Sequence, residues 1–571
     1  MKMIEKYSSE SIFRVFLILW GVLNLIQALF TPLHNDEAYY WMFSQYPAWG
    51  YYDHPPMIAM MIRLGGFIFR SEVGVRLLVI LSQLIAMLVI WSMIGVEKRG
   101  KPVNALLIVL VFSIIPVLHM YGFLATPDSP LILFTVLVLY FYKRFLNDET
   151  WLNTFALGLM FACLMYSKYH GGLMIILLLL SNLRLLLSVR FLIASLFALA
   201  LFAPHVIWQF NNDFPSLQYH LVDRVSGFDL AQVPEYLMNL LLIHNPFVLP
   251  VFIWVLFKIK TRDKFERSLI FIIYGFILFF FISSFRYHVE PQWTALIVVP
   301  FFLLVFNSDL IYTKFRYFRN LFLIMFPLFL FARIALMADI LPVPFLKKEF
   351  HRHRPWAEGI EKIAQGKPVV FTNAYQDPAL YTFYTGNFAH SLDNKNYRKT
   401  QFDLWDFEEQ LNGKEVCYVP HFLTEYYKSR LTPFELSPGD TIWYTFFKSF
   451  QSLQRKCAIL EKENYTFSES ADNNIDIKIF NPYPFTLDLV HPELPVVFQL
   501  AFVKDGILQE TRELPLPTEL TTLAPGDTIS FSQKISVNGI PEGEYSITID
   551  VVPGILYDTY NSDFRKAMIV R

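Results

Sequence analysis

Apolar residues fall in long blocks over the first 338 positions and then cease to do so. The first block, IFRVFLILWGVLNLIQALF, is about 20 residues long, enough to cross a hydrocarbon core. Blocks of this kind recur and predict eleven membrane spans, near 12–31, 75–95, 103–121, 128–143, 152–167, 171–188, 191–208, 236–257, 268–285, 293–307 and 319–338. No small-residue cleavage site follows the first block, so we expect it to be retained as a span. From about 339 the pattern changes. GKPVVFTNAYQDPALYTFYTG (366–386) reads as a buried strand, a loop and a helix begun near Asp377-Pro378, and LNGKEVCYVP (411–420) reads as another strand. Further on the period drops to two, in NIDIKIFNP, VVFQLAFVKDGILQ, DTISFSQKISV and GEYSITIDVV, with turns at Asp505-Gly506, Pro525-Gly526 and Asn538-Gly539. The expected architecture is a polytopic α-helical membrane domain (1–338), an α/β domain (339–457) and a β-sandwich (458–571).

Composition agrees: 54% of residues are apolar, 57 are Phe, and only 17% are charged, where soluble domains are about 25% charged. A net charge of -1 gives no global field for nucleic acid. Three cysteines exclude a disulfide framework and leave Cys417 and Cys457 as one candidate pair. Charge also sets the orientation. Lys2, Lys6, Lys98, Arg99, Lys101, Lys143, Arg144, Arg184, Arg190, Lys258, Lys260, Arg262, Lys264, Arg267, Lys314, Arg316 and Arg319 fall in one alternating set of connections. The opposite set carries only Arg63, Arg70, Arg76, Lys168, Arg224 and Arg286. Basic loops face the cytoplasm, so the N-terminus is expected inside and, with an odd span count, everything beyond 338 outside.

The outer connections hold the unusual residues. HNDEAYYW (34–41) and GYYDHPP (50–56) place Asp36, Glu37, Asp53 and His54 at the edge of the bilayer; ATPDSP adds Asp128, YSKYHGG adds Lys168 and His170, and FRYHVEPQW adds Arg286, His288 and Glu290. Ionisable groups there are costly unless solvated or functional. Paired acids can supply a general base or bind a cation, and the cations suit a phosphate. Plainer roles compete. Outer Tyr and Trp residues are ordinary belt anchors; Asp128 could simply face a helix N-terminus; Lys168 and His170 could cap a helix. HRHR (351–354) suits lipid headgroups, Arg333 suits either snorkelling or a lipid phosphate, and His205, His220 and His244 stand isolated. No compact metal-ligand spacing is present.

DEAYYW…YYDHPPMIAMMIRLGG followed by ATPDSPLILF resembles the first and second outer loops of GT-C superfamily glycosyltransferases of the protein O-mannosyltransferase type (glycosyltransferase family 39-like), and is similar to the aminoarabinose transferases that modify lipid A. The resemblance covers roughly residues 10–340. It implies a GT-C fold at a bacterial inner membrane and an inverting transfer of a sugar from a polyprenyl-phosphate donor to an acceptor hydroxyl on a lipid, glycan or protein. By the same resemblance Asp36 is the general base, Glu37 its orienting neighbour, Asp128 the second-loop acid, and Asp53 and His54 line the site. Lys168, His170, Arg286, His288 and Glu290 have no family match; charge and side of the membrane alone suggest Lys168 and Arg286 as phosphate binders. No cofactor is required, although a divalent cation would be compatible. The alternatives are a transporter or flippase of a polyprenyl-linked glycan, which should show internal repeats and midplane polar residues, and a non-catalytic envelope scaffold.

Overall fold

The computed structural model describes residues 7–224, 227–395, 397–421, 428–437, 440–469, 473–556 and 559–570. The chain divides into two compact units, Met1–Arg352 and His353–Arg571.

Among the described residues of the first unit, six helices are long and apolar enough to cross a membrane: Ser9–Phe30, Glu72–Met93, Asp128–Asn147, Val189–Asn211, Lys264–Ser283 and Ile311–Met337. Six shorter apolar helices accompany them. The protein is therefore a polytopic α-helical membrane protein. Helix starts follow side-chain caps: Ser8, Thr150, Ser188 and Asp263 each accept a backbone N–H of the turn that follows. Two expected spans are interrupted for local reasons. The block at 103–121 breaks into Pro102–Phe112 and Pro116–Met120, because Pro116 cannot donate to a continuing helix. The block at 236–257 breaks between Gln232–Ile243 and Leu249–Lys258, where Asn245 has φ 70° and Pro246 follows. The first acid-rich connection, expected as loop, is mostly helical: Asn35–Gln45 and Met57–Gly66.

The turn between Met57–Gly66 and Glu72–Met93 depends on two glycines. A Cβ on Gly65 would lie 2.1 Å from the Gly74 carbonyl oxygen, and one on Gly74 would lie 1.7 Å from that of Phe69. Gly74→Ala should lower the protein's stability by about 1–3 kcal/mol, the usual range for overpacking, read as a fall in thermal midpoint in detergent. It should also disturb Arg76 one half-turn further on.

In the second unit a five-stranded sheet is built from β1 (Val369–Thr372), β2 (Ala389–Leu392), β3 (Val416–Pro420), β4 (Thr432–Ser437) and β5 (Asp440–Phe447), ordered β2-β1-β3-β5-β4. β1 is parallel to β2 and β3, while β5 is antiparallel to β3 and β4. The inner strand β1 is buried at every position, as a parallel strand covered on both faces must be. Helix Gln376–Thr385, which carries the expected Asp377-Pro378 start, connects β1 to β2. The rest of the unit is β-structure. One sheet runs Ile507–Glu513, Val496–Lys504, Gly543–Pro553, Arg565–Val570, Asn464–Ser468; another runs Thr528–Ile535, Asn473–Phe480, Ala458–Leu460. Both contribute alternate residues to one core, among them Ile475, Ile477, Phe498, Leu500, Ile547 and Ile549. The Asp505-Gly506 turn has φ 52° and 77°, the paired positive angles that suit a two-residue hairpin. Cys417 and Cys457 are separate buried thiols, not a disulfide, and burial pushes each up to about 12.

His390 on β2 is buried, and burial drives its imidazole down to about 3. The unfolded chain therefore takes up a proton below about pH 6.5 that the folded chain refuses, so stability falls as pH falls. His390→Phe should remove this sensitivity. The difference between variant and parent should open below pH 6.5 at about 1.4 kcal/mol per pH unit, read by hydrogen exchange at Ala389–Leu392.

Candidate active site

Helix Asn35–Gln45 begins with a capping box. The His34 Nδ1 accepts from the Asp36 N–H at 3.1 Å, and Glu37 Oε2 accepts from the His34 N–H at 2.9 Å. The cap requires an unprotonated Nδ1, which puts the ring proton on Nε2, 3.3 Å from Glu349 Oε2. Asp36 and Glu37 both sit in the first turn, where the helix dipole favours negative charge, but their surroundings differ.

Glu37 and Arg76 are both 0% exposed. Arg76 donates Nε to Glu37 Oε1 at 2.9 Å and Nη2 to Oε2, and its remaining N–H groups reach the carbonyls of Thr31 (2.6 Å), Pro32 (2.8 Å) and Ala28 (3.3 Å). Glu37 Oε1 also accepts the Ala125 N–H at 2.8 Å. Each Glu37 oxygen thus accepts two bonds, which fills its lone pairs. Glu37 has nothing left to offer a substrate. It ties the start of its helix to Glu72–Met93 and to the connection before Asp128. Asp36, one residue earlier, is only partly buried.

Asp128 opens helix Asp128–Asn147 and is paired with Lys168, the residue just after Trp151–Ser167, through both oxygens at 2.8 and 2.9 Å. Both side chains are buried. Glu290 pairs with Arg224 at 3.1 Å and lies 3.7 Å from His288, which also approaches Glu235 at 3.5 Å. The Arg224 guanidinium stacks on Trp293 at 4.9 Å. His170 packs its ring against Phe280 and the same Trp293, and it feels the charges of Lys168, His220 and Arg224. The Tyr121 hydroxyl lies in the field of Asp128, Glu290 and Asp36 together. Five connections that are far apart in the chain therefore converge.

Asp53 and His54 join the same cluster. Asp53 is buried and acts electrostatically on Tyr169, while its carbonyl meets His220 Nε2 at 3.0 Å. His54 packs against Tyr40 and His220. His205, with no role assigned from sequence, holds the Trp49 carbonyl (2.7 Å) and the Tyr169 hydroxyl (3.1 Å).

Placement revises several expectations. Lys168 is buried and paired with Asp128. Arg286 is exposed beyond the end of Lys264–Ser283, whereas Arg224, which the sequence does not single out, sits within the cluster. His220 is not isolated. Arg333 neither snorkels nor faces headgroups: it is buried, donating to Gln27 (3.0 Å) and Asn24 (2.8 Å) on the first helix, with Phe123 beside it at 5.4 Å. Arg76 reads in sequence only as an outer charge. Its signal is a lone arginine inside an otherwise apolar block, which needs a buried partner.

The helical bundle gathers acids and cations from five connections, and its fold is shared with known membrane-protein structures. Residues 53–208 match the family model described as dolichyl-phosphate-mannose-protein mannosyltransferase. That stretch takes in Asp53, His54, Asp128, Lys168 and His170. The structure is similar to that of ArnT from Cupriavidus metallidurans in the apo state, at 15% identity and TM-score 0.56, over 76% of this chain and 97% of that one. It is also similar to ArnT from Cupriavidus metallidurans bound to undecaprenyl phosphate, at 14% identity and TM-score 0.53, with the same coverage. None of the curated proteins compared matches the chain.

Proposed function

We propose that the chain is an inverting membrane glycosyltransferase that moves a sugar from a polyprenyl-phosphate donor to an acceptor hydroxyl. One observation carries this reading: Glu37 and Arg76 build a saturated frame around the start of Asn35–Gln45, and the neighbouring carboxylate, Asp36, is the one left partly exposed. In the reaction Asp36 removes the proton of the acceptor hydroxyl. The oxygen attacks the anomeric carbon, the bond from that carbon to the phosphate oxygen breaks, and polyprenyl phosphate leaves with the bonding electrons. Arg224, supported by His170 and His220, takes the departing phosphate in place of Arg286. Asp128 and Lys168 hold the second and third connections in register, and Asp53 and His54 wall the sugar. The alternation of basic connections orients the eleven-span topology with the N-terminus in the cytoplasm, so the site and the C-terminal α/β and β-sandwich domains face outward at the inner membrane. The similarity to an undecaprenyl-phosphate-bound fold supports the lipid class of the donor.

The reading is tested with full-length protein in nanodiscs and a radiolabelled polyprenyl-phosphate sugar. Label should pass to a hydroxyl acceptor while free polyprenyl phosphate accumulates in equal amount. Arg224→Gln should raise the donor KM about tenfold, a loss of ~1.4 kcal/mol from one charge-assisted contact. Arg286→Gln should leave it within about twofold. Equal effects from both would remove the assignment of Arg224.

A further inference from the structure

The second unit carries a polar cluster for which the transfer reaction has no use. The chain leaves β1 for β2 on one side and later returns to β3 on the other, all three strands being parallel. The carboxyl ends of β1 and β3 therefore form a topological switch point, the place where open α/β sheets bind ligands. Chemistry gathers at that point. Asp377, in the first turn of Gln376–Thr385, follows β1, and His421 follows β3; His421 Nδ1 and Asp377 Oδ2 are 3.0 Å apart, with both side chains partly exposed. The His421 N–H donates to Thr372 Oγ1 at 3.2 Å, fixing the end of one strand on the other. Tyr397 and Arg398 come from beyond β2. Tyr397 lies in the field of Asp393, Arg398 and Asp377 and bonds the Tyr375 backbone, while Arg398 stacks on the Tyr375 ring at 4.6 Å. Asn373, left-handed at φ 52°, holds the Asn394 N–H at 2.9 Å and so ties the β1 and β2 ends together.

We propose that this strand-end cluster binds a neutral, hydroxyl-rich saccharide. A phosphate or nucleotide fits poorly. The Asp377 carboxylate already occupies the positive end of the helix that an anion would seek, and the turn Thr372-Asn373-Ala374-Tyr375 has no glycine to let a pyrophosphate approach the backbone. A sugar fits what is presented. The carboxylate and the imidazole Nε2 accept from hydroxyls, the guanidinium and phenol donate to them, and a tyrosine ring flanks the group. The site lies wholly within the second unit and stands independently of the transfer reaction.

The test uses full-length protein in nanodiscs, whose lipids carry no sugar headgroups. Saturation-transfer NMR is recorded with the methyl glycosides of glucose, galactose and mannose, and with inorganic phosphate as the anionic probe. At least one glycoside should bind at millimolar concentration. Asp377→Asn should weaken that binding about tenfold or more; His421→Gln should do the same and serves if the first variant fails to fold. Asp36→Asn should leave it unchanged, so failure here and failure of the transfer reading are distinguishable. Absence of saturation transfer to every glycoside at tens of millimolar overturns the proposal. So does displacement of the glycoside by inorganic phosphate, or loss of binding in Asp36→Asn but not in Asp377→Asn.

Discussion

Asp36→Asn should lower the turnover number about 10²–10⁴-fold, the contribution of a positioned general base, while the donor KM stays within about twofold of the parent. The split follows from where Asp36 sits. The bonds of the capping box and the Arg76 cluster come from the His34 ring, the Glu37 and Arg76 side chains and backbone groups. Asparagine is isosteric and is accepted at a helix start, so the frame should persist and the thermal midpoint should hardly move. What disappears is the ability to take a proton from the acceptor. A variant with parental turnover would remove Asp36 as the base and leave the rest of the site in place.

Arg76→Met should destabilise the membrane unit by about 3–5 kcal/mol, the loss seen when one partner of a buried ion pair is removed. The remaining Glu37 would be a fully buried carboxylate with two of its acceptor bonds gone, and three carbonyls would lose their donor as well. Arg76→Lys should rescue little, because an ammonium cannot reproduce the planar fork that serves both carboxylate oxygens. Glu37→Leu should be equally harmful, stranding the guanidinium. The double variant Arg76→Met with Glu37→Leu should be milder than the sum of the singles, since it leaves no uncompensated charge. Folded yield and thermal midpoint in detergent read all four. A double variant as unstable as the summed singles would contradict the pairing.

The membrane class was legible because a block of about 20 apolar residues matches the thickness of a hydrocarbon core, and the β-structure because its alternation was clean. The turn at Asp505-Gly506 could be read from two residues alone. Breaks in spans were less legible: Pro116 lies inside an apolar block and is masked by it, and the left-handed Asn245 carries no strong signal in sequence. For the site, Asp36, Asp53, His54, Asp128 and Glu290 stood out as acids and a histidine at span edges. The partners could not be read. That Glu37 is filled by Arg76, or Lys168 matched by Asp128, depends on contacts across 39 and 40 positions of chain. Charge and membrane side pointed to Arg286 and passed over Arg224, and it is packing against Trp293 that sets Arg224 in the cluster.

The central claim is that a sugar leaves polyprenyl phosphate by direct displacement at its anomeric carbon. The most direct measurement is the anomeric configuration of the product, read by NMR after transfer from a polyprenyl-phosphate sugar of defined configuration. The account predicts inversion, with one polyprenyl phosphate released per glycosidic bond formed. Retention of configuration, or a donor moved across the bilayer with its sugar still attached, would contradict it.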